Sequence, residues 1–209
     1  MSPPGTRPIR TLFKKRKGPK GFIDRTLEPL AKFLESVRIG PNTVTLAGLL
    51  VTLMVPVELL QERWVAAGFW LLGAGFFDVL DGSMARNLGV QGPFGAFWDS
   101  TLDRVSEAIV FGGLLLYYGQ KGDRLGLLLA FTTCILSLLV SYTRARAEGL
   151  GIDCEVGILP RPGRVILLAI GFFAALPLQA LAVIGALSLI TVWQRVNRVR
   201  EQTIRVKSR

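Results

Sequence analysis

Four aspartates stand where an otherwise apolar chain turns back on itself. Asp78 and Asp81 open the stretch DVLDGSMARNLGVQGPFGAFWDSTLD, and Asp99 and Asp103 close it. On a helix, residues i and i+3 lie roughly 60° apart and residues i and i+4 roughly 40° apart, so each pair faces one way. Carboxylates gathered in a low-dielectric place repel one another and stay ionised only when a cation compensates them. Hard oxygen donors in such a cluster favour Mg²⁺ or Mn²⁺ over zinc. Gly82 and Ala85 are small enough to let a ligand approach the backbone, and Gly95 opens the second helix one turn before Asp99. Arg86 carries a planar fork suited to phosphate. Metal-assisted chemistry on a phosphorylated substrate is the reading of these residues. The bland alternative is a set of helix-end charges in water or in ion pairs with nearby arginines. Intramembrane carboxylates are functional by default, and four of them in two facing pairs disfavour that alternative strongly.

The elements that must position these carboxylates are hydrophobic spans. Apolar residues make up 50% of the 209-residue chain, and its mean hydropathy is +0.44. Six long apolar segments lie near residues 41–60, 64–86, 94–118, 124–148, 161–177 and 178–199. A helix needs about 20 residues to cross the hydrocarbon, and most of the six qualify. The fifth and sixth are divided only around Pro177. Ahead of them, residues 22–38 place Phe22, Ile23, Leu27, Leu30, Phe33, Leu34 and Val37 mostly on one helical face. That pattern suits a helix lying in the membrane interface, and equally a soluble helix docked on protein. The expected fold is therefore an all-α integral membrane protein with six transmembrane helices and an N-terminal amphipathic helix. Residues 1–21 read as a flexible basic arm, 22–38 as the juxtamembrane helix, 39–200 as the catalytic bundle and 201–209 as a basic tail. A glycine-containing loop between the second and third spans predicts that they are antiparallel neighbours, with both carboxylate pairs at one depth.

Charge sets the orientation. Of the 25 lysines and arginines, ten fall in residues 1–40, and others crowd the 144–164 connection and the C-terminal end. The opposite loops hold only Arg63, Lys121 and Arg124. The basic side, with both termini and the aspartates, is expected to be cytoplasmic, in a multi-pass cell-membrane protein. A net charge of +10 together with such hydropathy points to a membrane protein with cationic edges and excludes a nucleic-acid binder. There is no histidine, so His-based dyads, triads and metal sites are excluded. Cys134 and Cys154 form neither a disulfide framework nor a zinc spacing.

The central stretch resembles the signature of the CDP-alcohol phosphotransferases, D-x2-D-G-x2-A-R-x8-G-x3-D-x3-D. Asp78, Asp81, Gly82, Ala85, Arg86, Gly95, Asp99 and Asp103 meet every fixed position. The six-span layout extends the resemblance over about residues 22–200. It implies that Asp78, Asp81 and Asp99 hold two divalent ions (Mg²⁺ or Mn²⁺), with Asp103 completing the metal site. It further implies that Arg86 and the ions bind the diphosphate of CDP-diacylglycerol, and that Asp103 is the base on an acceptor hydroxyl. The nucleotide is expected against Gly82, Ala85, Gly95 and the entrance to the first span, Pro41, Asn42, Thr43 and Val44. Pro-Asn-x-Val-Thr is also a simple helix start with Asn42 as N-cap.

The acceptor is indicated by arginines at the cytoplasmic helix ends. Arg144 lies in SYTRARAE, Arg161 and Arg164 in LPRPGR, and Arg195 in WQR. Arginines around a pocket would grip a phosphorylated acceptor; positive-inside topology is the competing explanation. The pattern resembles the phosphatidylinositol-phosphate and archaetidylinositol-phosphate synthase branch, which implies that Arg144, Arg161 and Arg195 bind the phosphate of inositol 1-phosphate. Gly163 and Gly92 depart from that branch, where polar residues are common. The runner-up acceptor is glycerol 3-phosphate; that branch favours an aromatic within the first Asp pair and D-P-x-x-D in the second, against DVLD and DSTLD here. A non-enzymatic cation binder or transporter is a distant alternative, since polarity is confined to one membrane edge. The family resemblance also implies a homodimer, and Gly68, Gly73 and Gly75 offer close helix packing.

Overall fold

A computed structural model describes residues 21–89 and 92–207. The basic arm expected at 1–21 lies outside the described residues except for Gly21. Every regular element among the described residues is a helix: α1 (Phe22–Ser36), α2 (Pro41–Thr52), α3 (Met54–Leu60), α4 (Trp64–Asn87), α5 (Pro93–Lys121), α6 (Arg124–Gly149), α7 (Arg161–Phe173) and α8 (Pro177–Lys207).

Local chemistry sets the boundaries. Proline opens α2, α5 and α8, where its missing N–H costs nothing. Pro41 at the first position makes Gly40 the N-cap of α2, so Asn42 is inside the helix and does not cap it. The first span is one apolar run of 20 residues, Pro41–Leu60, broken at Leu53. Pro56 accounts for the break, because a proline cannot donate to the carbonyl four residues back, here that of Thr52. Asp123 caps α6 by accepting from the Gly126 amide at 3.0 Å. The boundary between the fifth and sixth segments falls earlier than expected. The α7 helix stops at Phe173, Ala175 adopts a φ of 53°, and the Leu176 amide closes the turn on the Gly171 carbonyl at 2.8 Å. Pro177 then starts α8.

Among the described residues, four helical runs are long and apolar enough to cross a membrane: Pro41–Leu60, Trp64–Asn87, Arg124–Gly149 and Pro177–Ile204. The α5 helix has 29 residues but carries Asp99, Asp103, Arg104 and Glu107; α7 has 13 residues. The helices pack in a closed ring: α4 against α2 and α3, these against α5, then α6, α8, α7 and back to α4. The expectation that the second and third spans are neighbours is therefore corrected. No Cα of α4 lies within 8 Å of one of α5 beyond the chain's own turn, because α2 and α3 are wedged between them. Two glycines permit the wedge: a Cβ on Gly48 of α2 would stand 2.9 Å from Cβ of Phe77, and one on Gly113 of α5 would stand 2.7 Å from Cβ of Pro56.

The main core, including Val55, Leu59, Leu71, Leu114, Phe172, Leu181 and Ile184, fills the end of the ring away from the aspartates. A smaller cluster of Ala31, Val44, Leu80 and Met84 docks α1 on the first turns of α2 and the end of α4. Gly68, Gly73 and Gly75 all face partners within the chain, Phe173, Val51 and Val165 respectively.

Candidate metal and phosphate site

The aspartates meet although their helices do not. Asp78 reaches in from α4, and Asp99 and Asp103 from α5, so that one carboxylate oxygen of each lies within 4.8 Å of the others. Asp81 stands apart from this trio. It is 4% exposed, turned one step round α4 toward Thr45 of α2. Two buried carboxylate oxygens, Asp81 Oδ2 and Asp99 Oδ1, have no hydrogen-bond partner among the described residues. Orphaned, hard, anionic oxygens beside two more carboxylates are the donor set a divalent cation takes, and they fit Mg²⁺ or Mn²⁺.

Arg161, at the first position of α7, joins the cluster. Its Nη1 donates to Asp78 Oδ2 at 2.7 Å, and its Nη2 pairs with Asp103 Oδ1 at 2.9 Å. Its Nε is buried without a partner among the described residues, leaving a donor for a further anion. These groups line one end of a cleft of about 680 Å³, counted out to its open mouth. Thr45, Asp78, Asp81, Asp103, Glu107, Arg161 and Arg164 form its polar end, and Leu49, Leu71, Val110, Phe111 and Leu168 its floor.

Arg86 lies at the far end of α4 and is held from outside the ring. Its Nε and Nη2 donate to Asp24 of α1 at 3.0 and 2.8 Å. The hydrogen bonds and charge of Arg86 hold the Asp24 carboxyl below the usual carboxylate range. Gly82 makes room for this arginine, since a Cβ there would meet Nη1 at 3.2 Å. Ala85 is half-buried one position before Arg86. The opening turn of α2 comes to the start of α5: a Cβ on Gly95 would stand 3.6 Å from Asn42 Oδ1. Pro41 is half-buried, Asn42 and Thr43 are exposed, and Val44 is buried. The residues named for CDP-lipid binding thus form a rim shared by α2, α4 and α5.

The other two arginines named for the acceptor are differently placed. Arg144 is half-exposed, with Nε donating to Glu148 at 2.8 Å and Nη2 3.8 Å from Glu155. Arg195 is 5% exposed and straps the 150–160 connection onto α8. Its Nε donates to the Val156 carbonyl at 2.9 Å, and its Nη1 to the Val140 carbonyl. Gln194 and Thr191 accept from the Ile158 and Leu159 amides of the same connection. Only Arg161 of the three reaches the carboxylates.

Sequence reasoning passes over Asp24 and Glu107, and it gives Arg164 no role of its own among the basic helix ends. Glu107 follows Asp103 by one turn inside an apolar run, which is signal enough for an intramembrane carboxylate. In the sequence Arg164 is one of several helix-end arginines, and Asp24 is part of the charged face of the 22–38 helix.

Residues 38–194 match the family described as CDP-alcohol phosphatidyltransferase. The chain belongs to that family. It is 37% identical to a phosphatidylinositol phosphate synthase of Streptomyces avermitilis, over 88% of this chain and 82% of that protein. It is 36% identical to an archaetidylinositol phosphate synthase of Pyrococcus horikoshii, over 86% of this chain and 94% of that protein. Among solved structures it resembles the phosphatidylinositol phosphate synthase of Mycobacterium tuberculosis with CDP-DAG bound. The TM-score is 0.77 at 29% identity, covering 84% of this chain and 94% of that one. The same mycobacterial protein in complex with manganese and citrate aligns with a TM-score of 0.75 at 29% identity, covering 83% of this chain and 88% of that one.

Proposed function

We infer that this member of the family transfers a phosphatidyl group from CDP-diacylglycerol to a hydroxyl of inositol 1-phosphate, releasing CMP. The observation that carries the reading is the junction of Asp78, Asp99 and Asp103 with Arg161 at the polar end of the cleft. Asp78, Asp99 and Asp103, with Asp81 behind them, would hold divalent ions, two in number on the family pattern. Bound there, the ions supply Lewis-acid stabilisation of the diphosphate and of the leaving phosphate. The chain's own residues do the rest. The rim of Gly82, Ala85, Arg86, Gly95 and Pro41–Val44 seats the nucleotide. Arg161 offers its unpartnered Nε to the acceptor phosphate, with Arg144 and Arg195 as the remaining basic side chains of that region. Asp103 accepts the proton of the acceptor hydroxyl. The hydroxyl oxygen bonds to the lipid-side phosphorus as the bond from that phosphorus to the CMP oxygen breaks, and CMP carries away the electron pair.

We read the ring as six membrane spans with both termini and the site on the cytoplasmic side. Supporting this, Lys121 at the end of α5 pairs with Glu62 in the turn before α4, while Asp103 near the start of α5 meets the other half of α4. The α7 helix likewise runs from Arg161, beside Asp78, to Phe172, whose ring lies 6.1 Å from that of Trp64 at the start of α4. Exposed Leu30 and Phe33 on α1, and Val37 just past its end, suit a helix resting in the interface. A homodimer in the lipid bilayer is part of the same reading.

The test is turnover of CDP-diacylglycerol with inositol 1-phosphate, free inositol, glycerol 3-phosphate and serine in parallel. Inositol 1-phosphate is expected to give CMP and a phosphorylated phosphatidylinositol, with all turnover lost in excess EDTA. Turnover with glycerol 3-phosphate alone would move the assignment to phosphatidylglycerophosphate synthesis, and full activity in EDTA would remove the metal from it.

A further inference from the structure

The α5 and α7 helices carry the groups that matter most, Asp103 and Arg161, yet their backbones are not packed together. No Cα of one lies within 8 Å of a Cα of the other. Two arginine–carboxylate rungs cross the gap. The outer one joins Arg161 to Asp103 at 2.9 Å. The inner one, a turn deeper on both helices, joins Arg164 to Glu107: Nε donates to Oε1 at 2.8 Å and Nη2 to Oε2 at 3.3 Å. Ser137 of α6 donates to the same Oε1 at 2.6 Å, and Arg164 Nη1 donates to the Leu159 carbonyl, two residues before Arg161, at 3.4 Å. One carboxylate therefore ties α5, α6 and α7 together and reaches the connection that delivers Arg161.

We propose that Glu107 and Arg164 are a positioning pair whose task is to hold Arg161 at its distance from Asp103 and so to set the acceptor's place between α5 and α7. Arg164 is 3% and Ser137 0% exposed. A pair so deeply buried is a poor source of stability, because well-packed apolar side chains of similar volume usually do as well or better. Its fork, however, fixes distance and direction across a gap that apolar side chains would fill in several ways. The outer rung cannot do this alone, since Arg161 must turn its remaining donor to a substrate. The pair lies a turn behind Arg161 and Asp103 at the polar end of the cleft, and its effect passes through those two residues. This rests on the proposed transfer to a phosphorylated acceptor.

The decisive variant is E107M/R164M, which removes both charges together and keeps volume. It is expected to fold with a Tm at or above that of the parent. Its kcat/KM for inositol 1-phosphate should fall at least tenfold, mostly through KM, with the KM for CDP-diacylglycerol changed less than twofold. E107Q, which keeps the shape and still accepts from Ser137, should give the same split at smaller size and decides the matter if the double variant does not fold. An acceptor-independent readout runs beside the kinetics: spin labels at the exposed positions Phe97 of α5 and Ile166 of α7, on a cysteine-free background, measured by electron double resonance. The parent should give a narrow distance distribution and E107M/R164M a broader or shifted one. If the parent fails to use any phosphorylated acceptor, the functional reading falls, and the distance measurement alone decides the strut. An unchanged distribution, an acceptor kcat/KM within threefold of the parent, or equal damage to both substrates' KM would overturn the proposal.

Discussion

Arg195 and Arg144 have the same side chain and the same sequence context, a helix end on the basic side, but different surroundings. Arg195 donates to the Val140 and Val156 carbonyls from a buried position, whereas Arg144 holds only carboxylates at the half-exposed edge. Removing Arg195 leaves the buried Val140 carbonyl and the half-buried Val156 carbonyl short of a donor, at about 1–3 kcal/mol each. Arg195→Ala is therefore expected to lower Tm by about 5–15 °C for a chain of this size. Arg144→Ala should leave Tm within about 4 °C, since exposed ion pairs contribute about 0–1 kcal/mol. It should instead raise the KM for the phosphorylated acceptor. Thermal scans and acceptor titrations of both variants separate the roles; a Tm equal for the two would mean that the strap carries no load. The sequence could not distinguish these arginines, because burial of Arg195 depends on how the 150–160 connection folds back. The aspartates were legible because their i,i+3 and i,i+4 spacings aim them before any packing is known. Even so, the trio excludes Asp81, since a 60° step around α4 is enough to turn it to α2.

The amphipathic pattern of α1 announced a helix with an apolar face, and the helix is there from Phe22 to Ser36. What the pattern could not say is that its polar face holds a specific partner. Asp24 receives Arg86 from two nitrogens, and its main-chain carbonyl accepts from Asn87 at 3.1 Å. The signature arginine is thereby aimed by an element outside the signature. Asp24→Asn should loosen α1 and let Arg86 swing, raising the KM for CDP-diacylglycerol roughly two- to tenfold and increasing deuterium uptake across residues 22–36. The pH dependence has a definite sign. Arg86 lowers the folded-state pKa of Asp24, so the contribution is complete above the free carboxyl value of about 3.9 and is lost as pH falls through the lower folded value. Protection of α1 should persist unchanged from neutrality down to about pH 4 and disappear below it. Loss of protection between about pH 7 and 5 would assign the docking of α1 to some other group.

At the scale of the whole chain, hydropathy located the helical segments, four of them long and apolar enough among the described residues to cross a membrane, but not which helices touch. A short loop between two spans suggested neighbours, and the ring places α2 and α3 between them. The reason is physical: loop length limits separation at one end only, while Gly48 and Gly113 let the first span enter close to both partners. By composition α5 falls short of an apolar span because it carries Asp99, Asp103, Arg104 and Glu107, and α7 falls short by its length of 13 residues. If both do cross, the chain passes the membrane six times, and the turns at 61–63 and 121–123 lie together opposite the site. The Lys121–Glu62 pair already joins those turns. On a cysteine-free background, a cysteine replacing Lys121 should react with a membrane-impermeant maleimide in intact cells. Cysteines replacing Lys32 or Thr203 should react only after permeabilisation, because the positively charged side stays in the cytoplasm. Lys32 and Thr203 are both exposed, so slow labelling cannot be blamed on burial. Reaction of Lys32→Cys and Thr203→Cys from opposite sides would require an odd number of crossings. Protection of Lys121→Cys in intact cells would mean that α5 does not cross. Either outcome would leave the aspartates within reach of one another, but would dismantle the cytoplasmic placement of a site that draws its acceptor from water and its donor from the bilayer.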